Sequence, residues 1–289
     1  METEKISIPN KSPRLEKSDR LRTTAITRLT LCGVRIGLRA TEMDLLDRLI
    51  SRVPVGWKKT TSISVDRLYS VADGCAARST CERGHCYSIL SDGQLLVGGA
   101  NWGELCDAFD SDLEFFIATR SRKLLFVHAG VVSWRGQAIV IPGPSHSGKT
   151  TLVQALLTAG ASYYSDEFAL IDSAGSVHPF PRPLAIRGNG SITRIAAAQL
   201  GAPQATACAR IARIILTRYA HRIEWRPRVL SRGQGMLGIL QNTVAARRYP
   251  ELVLPALQRA IRQAQVLGGM RGEADEAAYL ILRDLSVET

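Results

Sequence analysis

Between residues 143 and 150 the chain reads Gly143-Pro-Ser-His-Ser-Gly148-Lys149-Thr150, a G-x-x-x-x-G-K-[ST] pattern. Residue types at this spacing suit a polyphosphate. Gly143 and Gly148 let the backbone curl closely around phosphate oxygens, where a side chain would block the approach, and the loop N–H groups then lie at the positive end of the next helix. Lys149 supplies a mobile cation for the β- and γ-phosphates, and the Thr150 hydroxyl is a ligand for Mg2+. Ser145, Ser147 and Thr151 complete the expected nucleotide contacts. The same cradle serves kinases, motor ATPases, GTPases and passive nucleotide sensors, so by itself it fixes a ligand class and not a reaction.

Asp166 and Glu167 follow a short strand-like run, Ser162-Tyr-Tyr-Ser165. One carboxylate at such a strand end could orient the metal or accept the proton of an attacking hydroxyl, a task that phosphoryl transfer to an alcohol needs more than a nucleotide switch does. His128 lies in Phe126-Val-His-Ala-Gly130. Its pKa range suits proton handling, although a histidine inside an apolar strand is more often a hydrogen-bonded core residue.

These groups need strands and helices to hold them. Leu124-Leu-Phe-Val and Gln137-Ala-Ile-Val-Ile read as buried strands on the way into the loop, and residues 149 to 159 as the helix leaving it. Phe168-Ala-Leu-Ile reads as a further strand, and Asp172 to Ser176 as a turn. Alternating strand and helix predict an α/β layer architecture. Ile211 to Leu216 is a strand candidate, and Ile192 to Leu200, Ser231 to Ala246, Pro250 to Val266 and Glu273 to Leu285 are helix candidates. Ahead of this unit, Thr41 is placed to cap a helix carrying Met43, Leu45, Leu46, Leu49 and Ile50. Two strand-like runs flank Ser91-Asp92-Gly93, and residues 103 to 120 have helical spacing. The organisation expected is a flexible tail over 1–22, a small α+β domain over 23–122 and the loop-bearing domain over 123–289.

Composition bounds the rest. The 289 residues are 45% hydrophobic and 22% charged, which fits an ordinary globular protein and excludes disordered and fibrous classes. No apolar run approaches the length of about 18 residues needed for a membrane span, and the first 22 residues are polar, so a soluble cytoplasmic protein without a membrane partner is expected. Six cysteines, Cys32, Cys75, Cys81, Cys86, Cys106 and Cys208, then read as reduced thiols; their spacing, with His85, is not that of a structural zinc site. The net charge of +11 attracts anions. Ten arginines fall between Arg182 and Arg232 against the single acid Glu224, a stretch suited to acidic or phosphorylated peptide; with few interleaved aromatics, nucleic acid is the less favoured partner.

In order and spacing, His128, the Gly143 to Thr150 loop, Asp166-Glu167 and Leu184-Ala-Ile-Arg187-Gly188-Asn-Gly190 resemble the catalytic domain of the bacterial HPr kinase/phosphorylase family. The likeness is greater to the short HPr-kinase-like serine kinases of peptide natural-product clusters, the lasso peptide type among them. It implies a P-loop kinase-like domain of the HPr kinase and PEP carboxykinase type that transfers the γ-phosphate of ATP to a Ser or Thr hydroxyl of a peptide or protein. Asp166 would be the base, Thr150, Asp166 and Glu167 the Mg2+ ligands, and His128, Lys149 and Arg187 the other catalytic groups. Full-length relatives form hexamers, so a homo-oligomer is part of the expectation. Ala185 stands where the family segment has Glu, and Thr151 where Glu commonly follows the loop Ser; these departures argue against phosphorolysis and against HPr as the acceptor. The competing readings are a nucleotide-binding regulatory or nucleic-acid-associated module and a kinase of a small hydroxylated metabolite.

Overall fold

A computed structural model describes residues 25–74, 86–145, 147–188 and 191–287. The expected tail and Cys75, Cys81 and His85 lie outside the described residues. The chain divides into two units, Met1–Ile117 and Ala118–Thr289, and the division falls slightly before the expected boundary.

In the first unit, β1 (Ala25–Leu31) and β2 (Val34–Ala40) form a hairpin, closed by Cys32 and Gly33 at positive φ, the conformation a two-residue turn requires. After α1 (Met43–Ile50) come β3 (Lys58–Lys59), β4 (Arg67–Asp73), β5 (Tyr87–Ser91), β6 (Gln94–Ala100) and α2 (Trp102–Arg120). The strands make one sheet ordered β3-β1-β2-β4-β5-β6, with β2 and β4 parallel. The expected hairpin at Asp92-Gly93 is present. α1 differs from expectation at its start: Glu42, not Thr41, is the N-cap residue and no side chain caps it, while Met43 points to solvent and Leu45, Leu46 and Leu49 are buried. Asp112 of α2 accepts from Arg67 Nη1 and from Tyr69 Oη, both at 2.6 Å, tying the helix to β4. Cys86 is in a disulfide, contrary to the reduced thiol expected, while Cys32, Cys106 and Cys208 are not in disulfides.

The second unit is mixed α/β. Its elements are β7 (Leu125–Trp134), β8 (Gln137–Pro142), α3 (Lys149–Thr158), β9 (Ser162–Ser165), β10 (Phe168–Ile171), β11 (Ser176–His178), β12 (Leu184–Gly188), β13 (Ser191–Ile195), β14 (Ala209–Tyr219), β15 (Arg228–Val229), α4 (Arg232–Leu240), α5 (Pro250–Gln263), β16 (Gln265–Arg271) and α6 (Ala274–Val287). The main sheet runs β11-β10-β7-β8-β14-β16-β15, with β9 also on β7 and β11 also on β14. β8, β14 and β16 are mutually parallel, and their neighbours are antiparallel. Strands buried on both faces explain the unbroken apolar runs. Val132, Ile139, Ile141 and Ile215 pack with Leu152, Leu156, Ile281 and Leu282 of α3 and α6. Val131, Val140 and Ile214 pack with Ile239, Val253 and Leu257 of α4 and α5 on the opposite face.

Three helix expectations fail for one reason, that pairing overrides local periodicity. Residues 192 to 195 are strand, bonded in register to β12, and only a 3-10 turn, Ala197–Leu200, follows. α4 stops at Leu240, six residues short of the expected end. The helix expected to reach Val266 ends at Gln263, and β16 follows, seven residues pairing in parallel with β14. No helix among the described residues is long and apolar enough to cross a membrane.

Gly130, in the middle of β7, sets the depth of α3. A Cβ there would lie 2.4 Å from Val153 Cγ2. Gly130→Ala therefore has to push the helix outward, and overpacking of this kind costs about 1–3 kcal/mol. Urea denaturation should show a lower midpoint at unchanged slope, and a stability equal to wild type would show that α3 is not held there.

Candidate functional site

The loop of the G-x-x-x-x-G-K-[ST] pattern lies between β8 and α3, at the carboxyl end of the parallel strands, where open α/β sheets bind ligands. Its glycines are steric requirements. A Cβ on Gly143 would come within 2.7 Å of Ser147 Oγ, and Gly148, the N-cap residue of α3, has φ +84°. Gly143 N–H donates to the His128 carbonyl at 3.2 Å, joining the loop to β7. Lys149 Nζ donates to the carbonyls of Gly143 at 2.7 Å and Pro144 at 2.8 Å, so the ammonium is folded over the loop.

Asp166 and Glu167 interrupt two strands that bond to the same side of β7: Ser165 of β9 pairs with Val131, and Phe168 of β10 with His128. Ser165 Oγ accepts from Phe168 N–H, and Ala129 N–H donates to the Glu167 carbonyl at 3.2 Å, which fixes the two-residue turn. Asp166 is 7% exposed. Its Oδ2 accepts from Thr150 Oγ1 at 2.8 Å, whereas Oδ1 is buried with no hydrogen-bond partner. Burial raises its pKa to about 6, against the pull of the Thr150 hydroxyl.

A cleft of about 270 Å3 is lined by Ser145, Gly148, Lys149, Thr150, Thr151, Gln154, Asp166, Glu167, Ala185 and Ile186. The fold thus brings together most of the residues that the sequence singled out. His128 reaches the group through Glu167, with Nδ1 3.7 Å from Oε1, and its ring packs on Phe168 at 4.5 Å. Burial lowers its pKa, partly countered by Glu167, so the ring is neutral near pH 7. Arg187 belongs to β12, beside Ala185 and Ile186, and its side chain lies outside the described residues. The arginine-rich stretch is not one surface: Arg213 is buried, Arg194 and Arg210 are exposed on different strands, and Arg222, Arg226 and Arg228 line a separate depression of about 730 Å3 with Ile223, Glu224 and Met270.

The donors fit a hard cation bound together with phosphate. Thr150, Asp166 and Glu167 offer oxygen only, with one buried carboxylate oxygen unused. Among the described residues no group of three His, Cys, Asp or Glu side chains could hold a metal unaided. Mg2+ binds in this way, through one or two carboxylates supplemented by substrate phosphates and water.

Two contributors were missed in the sequence. Gln154 is one helical turn beyond Thr150, and the i, i+4 spacing could have found it. Arg271 gave no signal: it falls between the two helix candidates that end at Val266 and begin at Glu273, and β16 carries it to the loop, where Nη2 donates to the Gly148 carbonyl at 2.8 Å. No protein-family model matches the chain, and no curated protein matches it.

The Asp166 carboxyl makes a stability prediction. Its folded pKa lies above the ordinary 3.8, so between about pH 4 and 6 the native state binds more protons than the unfolded chain and stability falls as pH rises. The stability difference, wild type minus Asp166→Asn, should decline across that window and level off above it when measured by denaturant titration at several pH values. A flat difference would mean that the carboxyl is not buried as described.

Proposed function

We propose that the Ala118–Thr289 unit is an ATP-dependent kinase of the HPr kinase type, with a P-loop kinase-like fold, that phosphorylates a Ser or Thr hydroxyl of a peptide or protein. The observation that carries the reading is the buried Asp166 carboxylate, bonded to Thr150 through one oxygen and unpartnered at the other, facing the same cleft as Lys149. With a pKa of about 6 it is ionised at neutral pH yet still basic enough to accept a proton.

In this scheme the loop N–H groups hold the phosphates, and the Lys149 ammonium exchanges loop carbonyls for phosphate oxygens. Thr150, Asp166 and Glu167 would hold Mg2+, which supplies neutralisation of phosphate charge. The acceptor hydroxyl approaches beside Ala185 and Ile186 and gives its proton to the Asp166 carboxylate. Arg187 offsets charge that moves to the leaving oxygen. His128, neutral, orients Glu167. The depression holding Arg222 and Arg228, separate from the cleft, favours acceptors that also carry acidic residues.

Incubation with ATP, Mg2+ and an acidic Ser-containing peptide should add one phosphate by mass, and Lys149→Ala and Asp166→Asn should each slow the transfer by about 100-fold or more. Transfer within about tenfold of wild type in Asp166→Asn would remove the general-base role. ATP binding with no transfer to any peptide would point instead to a nucleotide-gated module, and suppression of peptide labelling by free serine or a sugar would point to a small-metabolite kinase.

A further inference from the structure

Arg271 is the last residue of β16 and only 2% exposed. Nη1 donates to the Gly272 carbonyl at 2.9 Å and Nη2 to the Gly148 carbonyl at 2.8 Å, while Nε is buried without a partner. The guanidinium makes no ion pair among the described residues. Glu273, exposed, and the Tyr219 ring, 5.7 Å away, act on it only at longer range. A buried charge without a counter-charge is expensive, and a guanidinium cannot relieve that cost by losing its proton.

Its contact determines what the loop presents. The Gly148 carbonyl also accepts the first helical hydrogen bond of α3, from Leu152 N–H at 3.2 Å, so two donors pin it. A trans peptide points its C=O and N–H in opposite directions, and a carbonyl held on the Arg271 side therefore turns the Lys149 N–H away from Arg271. Gly148 itself cannot change: a Cβ there would lie 2.6 Å from Arg271 Nη2.

We propose that Arg271 is the buried cation of the anion site, a positioning residue that fixes the Gly148–Lys149 peptide and whose charge is neutralised when a polyphosphate binds at the start of α3. The inference rests on the phosphate-loop reading and extends it from the loop after β8 to β16, two strands across the sheet. It accounts for an uncompensated cation in the interior: the counter-charge arrives with the ligand.

The test uses the full chain and inorganic tripolyphosphate, with affinity measured by calorimetry and melting temperature measured without the anion. Arg271→Met should weaken binding by about tenfold or more, the size expected for a lost charge-assisted contact, while the anion-free melting temperature holds or rises because an unpaired buried charge has gone. A purely structural arginine gives the reverse, a lower melting temperature at unchanged affinity, and that result overturns the proposal. If Arg271→Met does not fold, Arg271→Lys keeps the charge but cannot bridge both carbonyls; its affinity should fall by about threefold or more, and wild-type affinity in this folded variant also overturns the proposal. Lys149→Ala separates the two ideas. If wild type binds no tripolyphosphate, the phosphate-loop reading falls and this one with it; if Lys149→Ala weakens binding and Arg271→Met does not, only the role of Arg271 falls.

Discussion

Val153 of α3 rests on the bare backbone of Gly130 in β7, and the same position lies 3.7 Å from Asp166 Oδ1, measured from where a Cβ would be. A side chain at 130 would meet Val153 and push α3, which carries Thr150, away from β7. β7 is bonded to β8, which leads into the loop, and to β9 and β10, which flank the acidic pair. Both halves of the site are therefore referred to one strand. Because strands in a packed sheet are not free to shift independently, the Thr150 to Asp166 hydrogen bond is a consequence of that shared reference.

Two buried polar atoms beside this site, Asp166 Oδ1 and Arg271 Nε, lack hydrogen-bond partners. Orphaned atoms occur elsewhere among the described residues, at Thr41 and Trp225 for example, so the lack of a partner does not by itself mark a site. These two differ in belonging to ionisable groups of opposite sign that both approach the first turn of α3, one through Thr150 and one through Gly148. Burial acts on them in opposite directions. It raises the carboxyl pKa toward neutrality and so makes the group a better base, and it lowers the guanidinium pKa while leaving the charge in place.

The loop was legible because its chemistry is local. Gly143, Gly148, Lys149 and Thr150 lie within eight residues, and a strand and a helix on either side are enough to present them. Asp166 and Glu167 were legible as a pair, and only the resemblance grouped them with Thr150; the proximity itself depends on β9 and β10 both bonding to β7. His128 was a member of the site on resemblance and a core residue on its apolar strand; it is half-buried, its ring approaches Glu167 and its carbonyl accepts from Gly143 N–H. The C-terminal region was the least legible. Gly268 and Gly269 break every local pattern, and a Cβ on Gly268 would lie 2.5 Å from Leu230 Cδ1.

By itself, the sequence determined the elements whose residues interact with near neighbours in the chain: the phosphate loop, the helix after it, the hairpin turn at Asp92-Gly93 and the apolar strands. Their conformations follow from steric rules over a few residues. Only the tertiary structure decided which distant groups meet there. The carboxylate opposite Thr150 and the buried Arg271 reach it through strand pairings between segments far apart in the chain. Such pairings draw on backbone groups that every residue carries, and so leave little mark on side-chain pattern.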